Sequence, residues 1–304
     1  MTSSASNRFD VYEAITNQII TAIEGGAGQV QLPWHRKGSA IYRPVNIASG
    51  KAYRGVNTVA LWAAADAKHY EHGVWGTYRQ WQEREAQVRK GEKSSLVIFY
   101  KELDSAAASS GDDEPGERRF VARASRVFNI AQIDGYVLPE TEPAVDRIDP
   151  CDAAEAFVST SGAKITVGGD SAFYRPSSDT ITMPDRHRFV GTDTCSATEG
   201  WYATLLHELT HWSGASHRLD RELGKRFGDD AYAMEEMVAE LGAAFLCGDL
   251  GITAEPRPDH AAYIDHWLRI LKDDRKAIFT AASAANKAAE YLASLASDER
   301  REAA

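Results

Sequence analysis

The chain of 304 residues is 43% apolar and 26% charged, the balance of a folded protein rather than a fibrous or unstructured one, and it is long enough for two domains. No apolar run approaches the roughly 20 residues that cross a bilayer, and the stretch Met1 to Asn7 lacks the basic and apolar regions of a signal peptide; a cytoplasmic protein with no membrane partner is expected. Three cysteines, Cys151, Cys195 and Cys247, with no C-x-x-C pair, argue against a disulfide framework and a thiolate zinc site. The net charge of -10 is unevenly divided: between Gln31 and Lys101 stand 12 Lys and Arg against 5 Asp and Glu, a net of +7, which leaves -17 on the rest. A basic block on an acidic chain points to a polyanionic partner for that block alone.

In chain order, Phe9, Val11, Ile15, Ile19, Ile20 and Ile23 recur at helical spacing before Gly25 and Gly26, which predicts an amphipathic packing helix. The basic block follows. It interleaves Trp34, Arg36, Lys37, Tyr42, Arg43, Tyr53, Arg54, Trp62, Trp75, Tyr78, Arg79 and Trp81, so that four of the seven tryptophans lie in it. Aromatic faces stack on bases and cations meet phosphates, which is what a single strand requires. The same composition also suits a core of aromatics with cations on its outside, and composition alone leaves both open. Asn46 and Asn57 are placed to hydrogen-bond either a nucleic-acid strand or backbone turns.

A glycine-centred turn with Arg89, Lys90 and Lys93 leads into an apolar strand, Ser95 to Tyr100, which would hold those cations at a rigid edge. Residues 104–117, rich in Ala, Ser, Gly and acid, are expected to form a mobile loop joining that strand to a second one, Phe120 to Ile130. The first domain thus runs over residues 1–137, residues 138–150 form a linker, and 151–304 form a second domain, α+β in class like the first. In this second part, Lys164 to Val167 reads as a strand and Ala172 to Pro184 as a hairpin. Ile181 to Pro184 is the expected edge for an extended peptide.

The strongest motif is His207-Glu208-Leu209-Thr210-His211 inside an apolar helix that begins near Ala197. Residues four apart share a helix face, so His207 and His211 present two imidazoles to one ion while Glu208 leans over it as general base. Such a donor set suits a divalent metal, zinc first and manganese among the others, in metal-assisted hydrolysis. Two third ligands compete. His217 completes H-E-x-x-H-x-x-G-x-x-H with Gly214, whereas Glu236 lies on the next apolar helix with Glu240 one turn on, so that one can ligate and the other orient an imidazole. No methionine turn can be placed, which favours Glu236. Tyr232 or His217 is the candidate for oxyanion support. A metal that only staples the fold is the blander alternative. From Ala261 onward the pattern is helical.

Pro33-Trp34, Arg43-Pro44-Val45-Asn46, Tyr53-Arg54-Gly55-Val56-Asn57, Trp75 and Val88 to Lys93, joined to the His207–His211 motif, resemble the ArdC-type antirestriction proteins of conjugative plasmids over nearly the whole chain. The resemblance implies sequence-independent binding of single-stranded DNA by the first domain, relatives of which are also fused to plasmid primases. It implies a zincin-like metallopeptidase fold for the second, with two histidines and an acidic third ligand that match His207, His211 and Glu236; His217 departs from that pattern. The role implied is protection of incoming plasmid DNA from host restriction during conjugation; for the alternative, a cytosolic metalloendopeptidase, a restriction-system component is the candidate protein substrate. On that basis Trp34, Tyr42, Tyr53, Trp75 and Trp81 are the expected base-stacking residues, and Arg36, Lys37, Arg43, Arg54, Arg89, Lys90 and Lys93 the expected phosphate contacts.

Overall fold

The isoleucine stripe at the amino terminus folds as helix α1 (Val11–Gly26), with Ile15, Ile19, Ile20 and Ile23 buried along the face that a 3.6-residue period defines. The computed structural model describes residues 9–26, 32, 42–102, 120–138, 150–224, 229–253 and 261–302. Trp34, Arg36 and Lys37, the expected loop 104–117 and nearly all of the expected linker lie outside the described residues.

After α1 come β1 (Val45–Asn46), α2 (Val56–Ala67), β2 (Val74–Gly76), α3 (Tyr78–Gln82), β3 (Gln87–Val88), β4 (Ser95–Glu102), β5 (Phe120–Asn129) and β6 (Ile133–Asp134). Four strands pair in the order β1-β2-β5-β4, and β3 pairs with β6. As expected, the two long strands are neighbours in one sheet, antiparallel from Ser95 opposite Val127 to Glu102 opposite Phe120. Helix α2 is buried continuously from Val56 to Ala65, because it is packed on two sides. Leu61, Ala64 and Ala65 meet Trp75, Val97 and Val127 of the sheet. Val59, Ala60 and Trp62 enter the helical core instead.

The second half comprises α4 (Pro150–Thr160), β7 (Lys164–Val167), β8 (Phe173–Arg175), β9 (Thr180–Met183), α5 (Ala197–Ser213), α6 (Asp230–Leu250), α7 (Ala261–Asp273) and α8 (Ala277–Glu302). Its three strands run β7-β9-β8, with β7 parallel and β8 antiparallel to β9. This corrects the expected peptide edge. Ile181 to Met183 belong to the central strand, whose two sides are both occupied, because the crossover from β7 lays that strand against the side of β9 that the hairpin leaves open.

One hydrophobic cluster joins the two halves of the sequence. It contains Ile15, Ile19, Val56 and Trp62 from the first and Leu205, Leu209, Leu241, Phe245, Trp267 and Ile278 from the second. No helix among the described residues is long and apolar enough to cross a membrane.

Burial reassigns much of the basic, aromatic block. Trp75 and Trp81 are fully buried and Tyr53 nearly so, so none offers a ring face to a base; the Trp81 indole donates to the Phe128 carbonyl at 3.2 Å. Trp75 and Tyr53 pack with Leu61, Val97 and Val127, and Trp81 with Val88, Ile130 and Ile133, so the large apolar ring area is buried in the core. Arg43 is buried too, and is not a phosphate contact. Its Nη2 donates to Asp249 at 2.7 Å, Nη1 to Asn286 at 3.3 Å and Nε to the Phe245 carbonyl at 3.3 Å, with its guanidinium 4.7 Å from the centre of the Phe245 ring. It ties the first half to the second.

Candidate metal centre

Helix α5 starts on a reciprocal cap in which the Ser196 hydroxyl accepts from the Glu199 amide and the Glu199 carboxylate accepts from the Ser196 amide. It then runs unbroken through His207, Glu208 and His211, and stops at Gly214. A side chain at 214 would stand 2.6 Å from a Leu223 methyl and 2.8 Å from the Arg221 guanidinium, so those two side chains close over the helix end where only a hydrogen stands. Helix α6 packs along α5. Its Gly242 permits the approach, since a Cβ there would lie 2.5 Å from Thr210 Cγ2. That closeness brings the acids of α6 against the imidazoles of α5.

The two Nε2 atoms of His207 and His211 are 3.1 Å apart, and the Glu236 carboxylate lies 3.5 Å from each. The three ligand atoms fall within 4.8 Å of one another, and no other such group occurs among the described residues. Ligands held about 2.0–2.1 Å from a tetrahedral ion stand roughly 3.3 Å from one another, so these spacings and this donor set fit a divalent cation. Each imidazole is also gripped from behind. His207 Nδ1 is 2.9 Å from Glu240 and His211 Nδ1 is 3.1 Å from Glu235. Carboxylates at both Nδ1 positions favour the tautomers that leave the Nε2 lone pairs free. Arg221 in turn donates to both oxygens of Glu235, at 3.0 and 2.9 Å, and to Ser213 Oγ at 2.9 Å.

The surroundings are built for positive charge. Burial alone would keep His211 neutral, but hydrogen bonds to Glu235 and Glu236 and their negative charge outweigh it and push its pKa up to about 10. Burial likewise opposes ionisation of Glu236, and the two histidines overcome it, holding that carboxyl well below its ordinary range.

His207, Glu208, His211 and Glu236 line one wall of a cavity of about 240 Å3 that Phe173 and Tyr174 close from the sheet and Tyr232 and Tyr263 from the helices. The two phenol oxygens are 3.5 Å apart. Burial, the Tyr263 hydroxyl and the nearby Glu236 raise the Tyr232 pKa, so this side chain presents a neutral O–H. Strand β8, an outer strand of its sheet, lines the cavity through Phe173 and Tyr174.

His217 stands elsewhere, which corrects its reading as third ligand or oxyanion donor. It is exposed, with Nε2 3.4 Å from Asp179. The cause is its neighbour Arg218, which lies 3.7 Å from the centre of the Trp212 ring and binds Asp179, anchoring this turn to the β8–β9 turn rather than to the cavity. Sequence reasoning missed Glu235, Arg221 and Tyr263. The available signal was three acids within six residues of an apolar helix, Glu235, Glu236 and Glu240, all of which are buried.

Of the remaining expected DNA contacts, Tyr42 is half exposed, and Lys90 and Lys93 are exposed. Arg54 is exposed but paired with Glu290, and Arg89 pairs with Glu92 at 3.1 Å and Asp134 at 3.6 Å.

Comparison with known proteins follows the same division. Residues 9–128 match the family of the N-terminal domain of anti-restriction factor ArdC, and residues 152–284 match the zincin-like metallopeptidase family. The uncharacterized protein y4eC of Sinorhizobium fredii NGR234 is 51% identical over 296 residues, covering 96% of this chain and 94% of that one. A DNA primase TraC of Escherichia coli is 37% identical over 298 residues, 92% of this chain but only 20% of the primase. The crystal structure of the antirestriction ArdC protein from plasmid R388 in its metal-free form superposes with a TM-score of 0.75 at 39% identity, covering 95% of this chain and 99% of that one. The Mn(II)-bound form gives 0.73 over 95% and 98%. The chain belongs to the ArdC-type antirestriction proteins.

Proposed function

We propose that this protein binds single-stranded DNA without sequence preference and protects incoming plasmid DNA from host restriction during conjugation, acting in the cytoplasm. The observation that carries this reading is the match to ArdC along 95% of the chain at 39% identity, with both halves present. The units 1–137 and 151–304, joined through 138–150, then act together. A titration of a labelled oligonucleotide tests it. Single strands are expected to bind more tightly than duplex, with affinity falling steeply as salt rises because bound cations displace counterions. Absent or salt-independent binding would remove the reading.

His207, His211 and Glu236 would hold a divalent ion, with zinc first by its donor set and manganese supported by the Mn(II)-bound relative. When bound, such an ion polarises a carbonyl oxygen and lowers the pKa of water towards neutrality. Glu240 and Glu235 fix the two imidazoles, and Glu208 is buried on the same wall of the cavity.

That arrangement also supports a second reading, a metalloendopeptidase whose first half directs it to substrate or DNA. Glu208 would take a proton from water in the cavity and return it to the leaving amine, while the neutral Tyr232 hydroxyl donates to the oxygen that gathers charge. A peptide would extend along β8. Incubation with a candidate restriction enzyme is the test: cleavage by the native protein and none by Glu208→Ala is expected, and no cleavage by either counts against it.

A further inference from the structure

A cleft on the first half of the chain, apart from the metal centre, has the chemistry of an unpaired nucleotide strand. Its volume is about 560 Å3, within the roughly 300–1,000 Å3 of small-ligand clefts. Lys51, Arg54 and Phe99 line it together with the amides Asn46, Asn57 and Gln80. Among the described residues, none that lines it is acidic, on a chain whose net charge is -10.

Phe99 is 48% exposed, whereas Val97 and Ile98 beside it on the same strand are buried. A ring held on a paired strand has little freedom left to lose when a base stacks on it. The register of the sheet sets Arg123 of β5 directly across from Phe99, and directly opposed residues share a face. Arg123 is exposed, so a cation flanks the ring there while Lys51 and Arg54 flank it within the cleft.

The amides are already committed. Asn57 donates to the Ile98 carbonyl and accepts from the Ile98 amide, both at 2.8 Å. Asn46 donates to Tyr53 Oη at 3.1 Å and Gln80 Oε1 at 3.2 Å, and accepts from the amides of Ala48 and Ser49 at 3.0 and 3.1 Å. Gln80 Oε1 also accepts from the Thr77 amide at 2.9 Å, and its Nε2 donates to Asn46 at 3.4 Å. The three amide oxygens, and at least one donor of each amide nitrogen, are thus engaged by the protein itself. What faces outward is a ring and cations, which any base and any phosphate satisfy.

We propose that this cleft seats single-stranded DNA, one base stacked on Phe99 and the adjoining phosphates on Lys51, Arg54 and Arg123; this rests on the DNA-binding reading above. Sequence independence is expected where a ring and cations supply the contacts and the amide oxygens are engaged by the protein. Strand selectivity follows from the ring, because bases inside a duplex keep their faces stacked on one another. Glu290 of α8, paired with Arg54, competes with phosphate for that guanidinium.

The test uses the full chain, a fluorescent oligothymidine and anisotropy at two salt concentrations. Phe99→Ala is expected to weaken binding about 5- to 150-fold, the range of one base–aromatic stack, and Phe99→Trp to retain it. Lys51→Ala should make the salt dependence shallower by about 0.7 in slope, one phosphate contact fewer. Glu290→Gln should tighten binding. If the native protein binds the oligonucleotide and Phe99→Ala and Lys51→Ala bind just as well at both salts, the cleft is overturned and the DNA-binding reading stands. If the native protein itself does not bind, both fall. Should Phe99→Ala lose its fold, Lys51→Ala decides the matter: a shallower salt dependence supports the cleft and an unchanged one overturns it.

Discussion

His211 has two ring nitrogens with different neighbours, and this division sets expectations for single substitutions. Nε2 faces His207 and Glu236, while Nδ1 is held by Glu235, itself clamped by Arg221. Glu235→Gln or Arg221→Ala is expected to lower the affinity for a divalent ion by about 10- to 100-fold, measured by competition with a chelator, because the imidazole loses its fixed tautomer and orientation. The spacing of His207, Glu208 and His211 was legible in the sequence, since positions four apart on a helix must share a face. Glu235 was not, because its partner lies on another helix and only the close packing at Gly242 brings them together. Arg43 makes the converse point. Its composition suggested a phosphate contact, yet it is the buried tie to Asp249, so Arg43→Ala should lower stability by on the order of 2 kcal/mol in urea unfolding and leave the salt dependence of DNA binding unchanged.

Among the elements, the β8–β9 hairpin depends on an ion pair that no local pattern announces. Asp179 sits in its turn at a φ of 48°, a left-handed conformation that Asp and Asn tolerate better than most residues. The Arg218 hydrogen bond, with the Tyr174 hydroxyl and the Arg218 charge, overcomes burial and holds the Asp179 pKa down to about 2. Because the folded value lies below the unfolded one, the pair's stabilisation is fully present above the ordinary aspartate value near 3.8 and is lost as pH falls through about 2. Melting temperatures between pH 5 and pH 2 should therefore fall more steeply for the native protein than for Asp179→Asn; parallel curves would count against the pair. The strands themselves were legible from their apolar runs, and so was the hairpin. The pairing of β7 was not, because which edge a crossover strand takes is decided by the layers around it rather than by its own residues.

At the scale of the whole molecule, the α+β class and the succession of an ArdC-type N-terminal part and a zincin-like part were legible from the motifs and the resemblance they carry. The core common to both was hidden, because α1 and α2 show only that they are apolar, not that they pack on α7 and α8. A single hydrophobic cluster across the junction makes one cooperative unfolding transition the expected behaviour, with both halves lost together in calorimetry. An ion that binds only the folded state adds to this, by about 2.7 kcal/mol at a concentration one hundred times its Kd. The chemistry of the second half depends on whether His207, His211 and Glu236 hold that ion. Calorimetric titration of Zn2+ and Mn2+ into chelator-treated protein measures it directly: one ion per chain is expected, with binding lost in His207→Ala and strongly weakened in Glu236→Gln. Native-like affinity and stoichiometry in both variants would contradict it.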